Sequence, residues 1–177
     1  VGDNKIKADR TDEALEIMDK LWRGETVHHD GTHYHIDGLN FRPRPIQQPR
    51  IPVWCAAGYP HKKPLRRAAQ WDGVFPLAFD DRFLTPDEWR EILAYIKQHR
   101  TASSPFDAAH NSITQDADDI DTIKPYADAG VTWWMEEISP IRLGWKLSQS
   151  THWGDEWDTD AILSRISNGV PSPDDVS

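Results

Sequence analysis

The sequence predicts an α/β fold in which parallel strands alternate with helices that cross over between them. Three observations predict it. First, Ile51-Pro-Val-Trp-Cys-Ala-Ala-Gly-Tyr-Pro-His-Lys-Lys-Pro-Leu-Arg-Arg-Ala-Ala-Gln-Trp-Asp-Gly-Val-Phe-Pro76 reads as strand, glycine turn, helix, glycine stop and second strand, which is one βαβ unit. Second, β-favouring runs and helical stripes keep alternating downstream of it, giving β-α-β-α-β-α-β-α, the order of a parallel sheet covered by helices. Third, 177 residues without an internal repeat or low-complexity tract suit one domain with a real core, placed here over 1–169 with a disordered tail over 170–177.

Each element has its own cause. Ahead of the βαβ unit, Thr11 precedes Asp12 and Glu13, and Ala14, Leu15, Met18, Leu21 and Trp22 recur at helical spacing until Gly24 stops them, so a helix is expected over 11–23. Thr26 to Ile36 follows, with Asp30-Gly31 between two β-favouring segments, and predicts a hairpin with a two-residue turn. The prolines of 42–52 forbid helix and central strand alike and predict an extended connector.

It leads into the first core strand, Pro52–Ala56. Pro64 suits the first turn of a helix whose apolar face is Leu65, Ala68, Ala69 and Trp71; Asp72-Gly73 ends it before a strand over Val74–Leu77. Thr85-Pro-Asp-Glu88 is a capping box that opens a helix carrying Trp89, Ile92, Leu93 and Ile96 on one stripe. Phe106–Thr114 is the place for the next strand, although its apolar pattern is poor. A helix over Asp119–Ala129 follows, with Pro125 kinking it or starting a second short helix. Val131-Thr-Trp-Trp-Met135 is a fourth strand. Beyond Pro140 come a tryptophan-rich loop and a last helix near Thr159–Ser167.

Composition excludes several functions. A net charge of -9 disfavours a binder of nucleic-acid phosphates. The single Cys55 allows no intrachain disulfide and reads as a buried inert thiol, which favours a reducing compartment. No apolar run reaches the roughly 18 residues of a membrane span, and Val1-Gly-Asp-Asn-Lys has no signal-peptide core. A cytoplasmic protein with no membrane and no nucleic-acid partner is expected.

Four groups of residues could carry chemistry. Ala57, Gly58 and Tyr59 close the first core strand, where small residues let backbone N–H groups approach a ligand, and Lys62 and Lys63 stand at the start of the next helix. Together they suit a phosphate; a plain turn with solvated lysines explains the same residues. His28, His29, His33 and His35 could chelate a divalent ion, but nothing at ligand spacing completes the shell, and no metal is expected. Of Glu136 and Glu137, directly after the fourth strand, one points to the mouth of the site and the other away; a mouth-facing carboxylate could orient a substrate or act as a base, or pair with Arg142. Trp54, Trp133 and Trp134 belong to the core first, and could line a flat ligand.

Several motifs in register carry a resemblance: Arg10-Thr-Asp-Glu-Ala-Leu-Glu-Ile, Leu-Trp-Arg-Gly-Glu-Thr-Val, Asp-Gly-Thr-His-Tyr-His, Arg-Pro-Arg-Pro-Ile-Gln, Ile-Pro-Val-Trp-Cys-Ala-Ala-Gly and Arg-Ala-Ala-Gln-Trp-Asp-Gly-Val-Phe-Pro. From about Arg10 to Glu137 the chain resembles the C-terminal half of luciferase-like flavin-dependent oxidoreductases. The resemblance implies a TIM-barrel fold, FMN or the deazaflavin F420 as cofactor, a small-molecule substrate, and either monooxygenase or F420-dependent dehydrogenase chemistry. It implies that Ala57, Gly58 and Tyr59 hold the flavin phosphate; Lys62 and Lys63 join them on charge alone. A complete barrel takes about 250 residues, so the expected fold is a partial, half-length TIM-barrel-like β/α repeat with a β-hairpin insertion. Its open strand edges and apolar inner face predict a homo-oligomer that completes the half-barrel. The alternative is a non-catalytic half-barrel that binds a phosphorylated ligand or a partner protein.

Overall fold

The computed structural model describes residues 3–80, 82–139, 157–172 and 174. They fall into two compact units, Val1–Val53 and Trp54–Ser177.

The first unit is a helix and a hairpin. Helix α1 spans Asn4–Trp22, with Asp3 as N-cap accepting from the Lys5 N–H. It starts seven residues before the expected Thr11, because Asp3 supplies a cap and Asn4–Arg10 holds neither glycine nor proline. Gly24, at φ 78°, ends it: Gly24 N–H bonds the Leu21 carbonyl and Glu25 N–H the Lys20 carbonyl, a pairing that needs the left-handed region. Strands β1 (Val27–Asp30) and β2 (His35–Leu39) pair antiparallel, and Ile17, Leu21 and Val27 form a small core with Ile36 packed on it.

The expected two-residue turn is a four-residue connection, Gly31 to Tyr34, closed by the Gly31 N–H on the Tyr34 carbonyl at 3.0 Å. Glu13 explains the longer loop. Its carboxylate accepts from the backbone N–H groups of His33 (3.0 Å) and Tyr34 (2.9 Å) and bonds His29 Nε2 (2.9 Å), so a helix side chain holds the turn. Residues 42–52 form no helix or strand, as the prolines require.

The second unit is a four-stranded parallel sheet with helices between its strands. Strands β3 (Trp54–Tyr59), β4 (Gly73–Ala78), β5 (Asp107–Ser112) and β6 (Trp133–Glu136) lie side by side in chain order. Helices α2 (Lys62–Ala68), α3 (Pro86–His99) and α4 (Ile120–Asp128) are the crossovers, and α5 (Thr159–Asn168) follows β6. The Thr85 and Glu88 capping box forms as expected. Pro125 lies inside a single α4, which continues through the Ala129 N–H on the Pro125 carbonyl. The fold is α/β, with a parallel sheet, a separate antiparallel hairpin and no closed barrel.

One shift matters for function. The first core strand runs Trp54–Tyr59 instead of 52–56, so Gly58 and Tyr59 are strand residues paired with Leu77 and Ala78, not a turn after the strand. Pro52 has no N–H for the ladder, while residues 54–59 find a full partner in β4. The expected tryptophan-rich loop and Arg142 lie outside the described residues, as do residues 173 and 175–177 of the tail.

Candidate functional site

The sheet is strongly curled. Trp54 and Trp133 sit on its two edge strands with β4 and β5 between, a separation of roughly 14 Å at ordinary strand spacing, yet their rings meet edge to face at 5.3 Å. Those two side chains therefore lie on the concave face. Alternation along each strand then sorts every residue. Trp54, Ala56 and Gly58 of β3, Leu77 of β4, Asp107 and Asn111 of β5, and Trp133 and Met135 of β6 look into the concavity. Cys55, Ala57, Val74, Ala108, His110, Trp134 and Glu136 face the helices.

The carboxyl ends of the strands form the mouth, the place where ligands sit in such folds. Three features meet there. Gly58 offers bare backbone, and the tip of the Phe79 ring lies over it, so that a Cβ at position 58 would overlap that ring. Phe79 is 71% exposed and contacts the His61 ring at 5.2 Å. Across the mouth, Glu137 accepts from Asn111 Nδ2 at 3.3 Å and from the Ser139 N–H at 3.0 Å. Leu77, Trp133 and Met135 line the concavity below as exposed apolar side chains.

The residues expected to hold a phosphate divide between the two faces. Ala57 is buried toward the helices. Tyr59 donates its hydroxyl to Glu91 of α3 at 3.0 Å; desolvation, then the bond to Glu91, push that phenol above its ordinary value. Lys62 Nζ lies 4.9 Å from the centre of the Tyr95 ring, a cation–π contact on the helix layer, and Lys63 is exposed on the first turn of α2. Gly58 is the member of the set whose open side faces the mouth.

Sequence reasoning sent one of the paired glutamates to the mouth, and the geometry says which. Glu137 is the mouth carboxylate. Glu136 ends β6 on the opposite face, where Arg165 of α5 binds it through Nη2 (2.5 Å) and Nε (3.1 Å). Thr114 N–H (2.9 Å), Thr114 Oγ1 (3.0 Å) and Trp134 Nε1 (2.9 Å) complete its shell. Arg165 also donates to the Gly169 carbonyl, so this buried network fastens α5 to the sheet. The hairpin histidines form pairs instead of a shell: His28 with Asp37 at 2.9 Å and His35 with Asp30 at 2.6 Å, beside a shallow cavity of about 480 Å³. His33 lies in the connection, not on the strand face it was expected to share with His35. Among the described residues no three His, Cys, Asp or Glu side chains are arranged to hold a metal ion.

His110 is a site residue that no motif announces. It is 1% exposed on β5, enclosed by the rings of Phe83, Trp89, Tyr126 and Trp134. Trp89 Nε1 donates to its Nδ1 at 3.0 Å, which places the ring proton on Nε2. Nε2 is buried without a partner, and burial lowers the pKa of this imidazole to about 4. A lone histidine in a weakly patterned segment carries no such signal; the cage is built from the segment before α3, α3 itself, α4 and β6.

The model of the luciferase-like monooxygenases matches residues 5–163, nearly the whole chain. The chain belongs to the luciferase-like monooxygenase family. Uncharacterized proteins of Mycobacterium bovis and Mycobacterium tuberculosis are 32% identical to it over 126 residues, which cover 70% of this chain and 40% of theirs. The F420-dependent glucose-6-phosphate dehydrogenase of Gordonia bronchialis is 45% identical over 51 residues, 29% of this chain and 14% of that enzyme. The chain spans about 40% of the length of the first of these curated relatives. Gly58, Phe79, Asn111 and Glu137 lie at the carboxyl end of the parallel strands. No helix among the described residues is long and apolar enough to cross a membrane.

Proposed function

We propose that this chain is part of a flavin-dependent oxidoreductase that uses FMN or F420 to oxidise a small organic substrate at the mouth of the concave face. The observation that carries this reading is Gly58. It is a side-chain-free position at the carboxyl end of a parallel strand, facing the mouth, in a chain of luciferase-like sequence.

What overlies Gly58 is the tip of one largely exposed side chain, Phe79, which can turn aside without disturbing the core. Gly58 would leave room for the phosphate and Lys63 would meet its charge, joined by Lys62 on leaving Tyr95; Ala57 and Tyr59 stand beside it in the ladder, and the His61 N–H is held by the Gly58 carbonyl. Bound there, the flavin would supply the electron or hydride transfer. The chain's own part is to fix the phosphate at Gly58, to surround the substrate with Leu77, Trp133 and Met135 so that water is excluded, and to present the Glu137 carboxylate. Covering of the concave face by a second copy belongs to the same reading, and sedimentation equilibrium tests it.

Fluorescence titration with FMN and with F420 decides the matter. One of them binds, Gly58→Asp abolishes binding by placing a charge against the phosphate, and Phe79→Ala strengthens it. The position of Phe79 also favours a second reading, a non-catalytic member whose phosphate site is closed by its own ring. Flavin binding by Phe79→Ala and not by the native chain selects that reading, and failure of both flavins with both proteins removes the phosphate site at Gly58.

A further inference from the structure

We infer that the mouth takes an uncharged, largely apolar or aromatic substrate carrying a single hydrogen-bond donor, a hydroxyl or an amine, which Glu137 accepts. The inference rests on the flavin-dependent reading and narrows its substrate class. Three observations carry it.

The first is the wall. Leu77 (43% exposed), Phe79 (71%), Trp133 (51%) and Met135 (43%) all present apolar surface to the concavity or its rim, and two of the four are aromatic. Such surface stabilises flat apolar ligands and supplies few of the hydrogen bonds that a sugar's hydroxyls need. The second is the acceptor. Glu137 is half-buried, and among the described residues its two oxygens each accept one bond, from Ser139 N–H and from Asn111 Nδ2, so the carboxylate is held in place by groups that donate to it. Each oxygen has room for a further donor. The ligand must therefore bring an N–H or O–H.

The third is charge. Arg82, in the segment after β4, is engaged by Glu88 (2.6 Å) and by Asp80 (2.9 Å). Arg165 is bound to Glu136 on the opposite face, Lys62 lies on the Tyr95 ring, and Lys63 is assigned by the flavin reading to the cofactor phosphate. A doubly anionic substrate, such as the glucose 6-phosphate in the name of the Gordonia relative, would meet Glu137 with the cations described around the mouth already engaged. Like charges at short range in a partly desolvated site are strongly unfavourable.

The chain's two methionines make the test direct. Met135 lies on the concave face, and Met18 lies on α1 in the other unit. With ¹³C-methyl-labelled methionine in the full chain, titration with 2-naphthol shifts the Met135 methyl resonance and leaves Met18 in place. 2-Methoxynaphthalene, which lacks the donor, binds about tenfold more weakly, the ratio expected for one lost hydrogen bond to a charged acceptor. Glu137→Leu erases that ratio. Glu137→Gln, which preserves shape should the leucine variant not fold, reduces it to about threefold. Equal affinity of the native chain for both naphthalenes, an unchanged ratio in both variants, or a Met135 shift with glucose 6-phosphate overturns the inference. Flavin binding, followed separately by fluorescence, tells the two readings apart. Flavin bound with no naphthol preference removes the substrate class alone; a naphthol preference without flavin binding removes the cofactor reading.

Discussion

The two faces of the parallel sheet are built from alternate residues of the same strands and have opposite characters. On the helix face, Val74, Leu65, Trp89 and Ile92 are fully buried, and Glu136, Thr114 and Arg165 bond one another completely. On the concave face Leu77, Trp133 and Met135 stand open, with Asn111 and Glu137 bonded to each other at the mouth. Strand β6 shows the division within four residues: Trp133 and Met135 belong to one face, Trp134 and Glu136 to the other. The difference separates the tasks. Folding stability of this unit resides on the helix side, which leaves the concave side to be shaped by what it binds.

If that division is right, the largest losses come from the helix face. Arg165→Met leaves the Glu136 carboxylate buried without its cation, and is expected to cost about 3–5 kcal/mol, read from the urea midpoint. A loss below about 1 kcal/mol would show that α5 is fastened some other way and would break the comparison.

Acid provides the next effect, again on the helix face. His110 has a folded-state value of about 4 against an ordinary 6.5, because burial disfavours its charged form. On acidification the unfolded chain takes up the proton first, so the unfolded state binds more protons between those two values and stability rises with pH there. The contribution is complete above pH 6.5, falls as pH drops toward 4, and changes no further below; over the window it amounts to about 3 kcal/mol. His110→Gln removes this step. The step differs from acid loss at Glu88, whose carboxyl is held at about 2 by Arg82 and which therefore matters only below its ordinary value of 4.5. Urea midpoints at pH 7.5, 5.5 and 4.5 on native and variant protein separate the two, and an unchanged midpoint between the first two would remove His110 as the cause.

A pair of neighbours sharpens the division further. Trp134 touches His110 and Tyr126 and donates to Glu136, so Trp134→Ala is expected to cost about 3 kcal/mol. Trp133 is half exposed and among the described rings meets Trp54, so Trp133→Ala costs about 1 kcal/mol. Similar losses at both positions would mean that the concave face is as much a folding core as the other.

Where local pattern determines structure, the sequence was legible. Thr85 and Glu88 announce the start of α3, Gly24 the end of α1, and the alternation of strands and helices the parallel sheet. Gly58 could be singled out from its small neighbours, but its placement within the strand could not, because the ladder with β4 decides where β3 stops. Strand β5 looked poor for a physical reason: Asp107, His110, Asn111 and Ser112 are polar, and each finds its surroundings on other elements, Asp107 from Trp54 and His110 from Trp89. The grip of Glu13 on the hairpin was equally invisible. Burial alone would raise that carboxyl, but bonds from His29, Tyr34 and His33 hold it below its ordinary value, and all three lie 16 or more residues away.

The smallest effect is the most telling about the open face. Leu77 lies opposite Gly58 in the parallel register and is 43% exposed, so Leu77→Lys removes little buried apolar area and leaves the ladder intact. At low protein concentration it should change the urea midpoint by no more than about 0.5 kcal/mol. The same substitution places a cation beside the mouth, where Glu137 presents its carboxylate. It should therefore weaken binding of 2-naphthol, by wetting the wall, while permitting a phosphorylated ligand that the native mouth rejects. A large loss of stability would show that Leu77 is packed against something in the isolated chain, and the concave face would then have to be counted with the core.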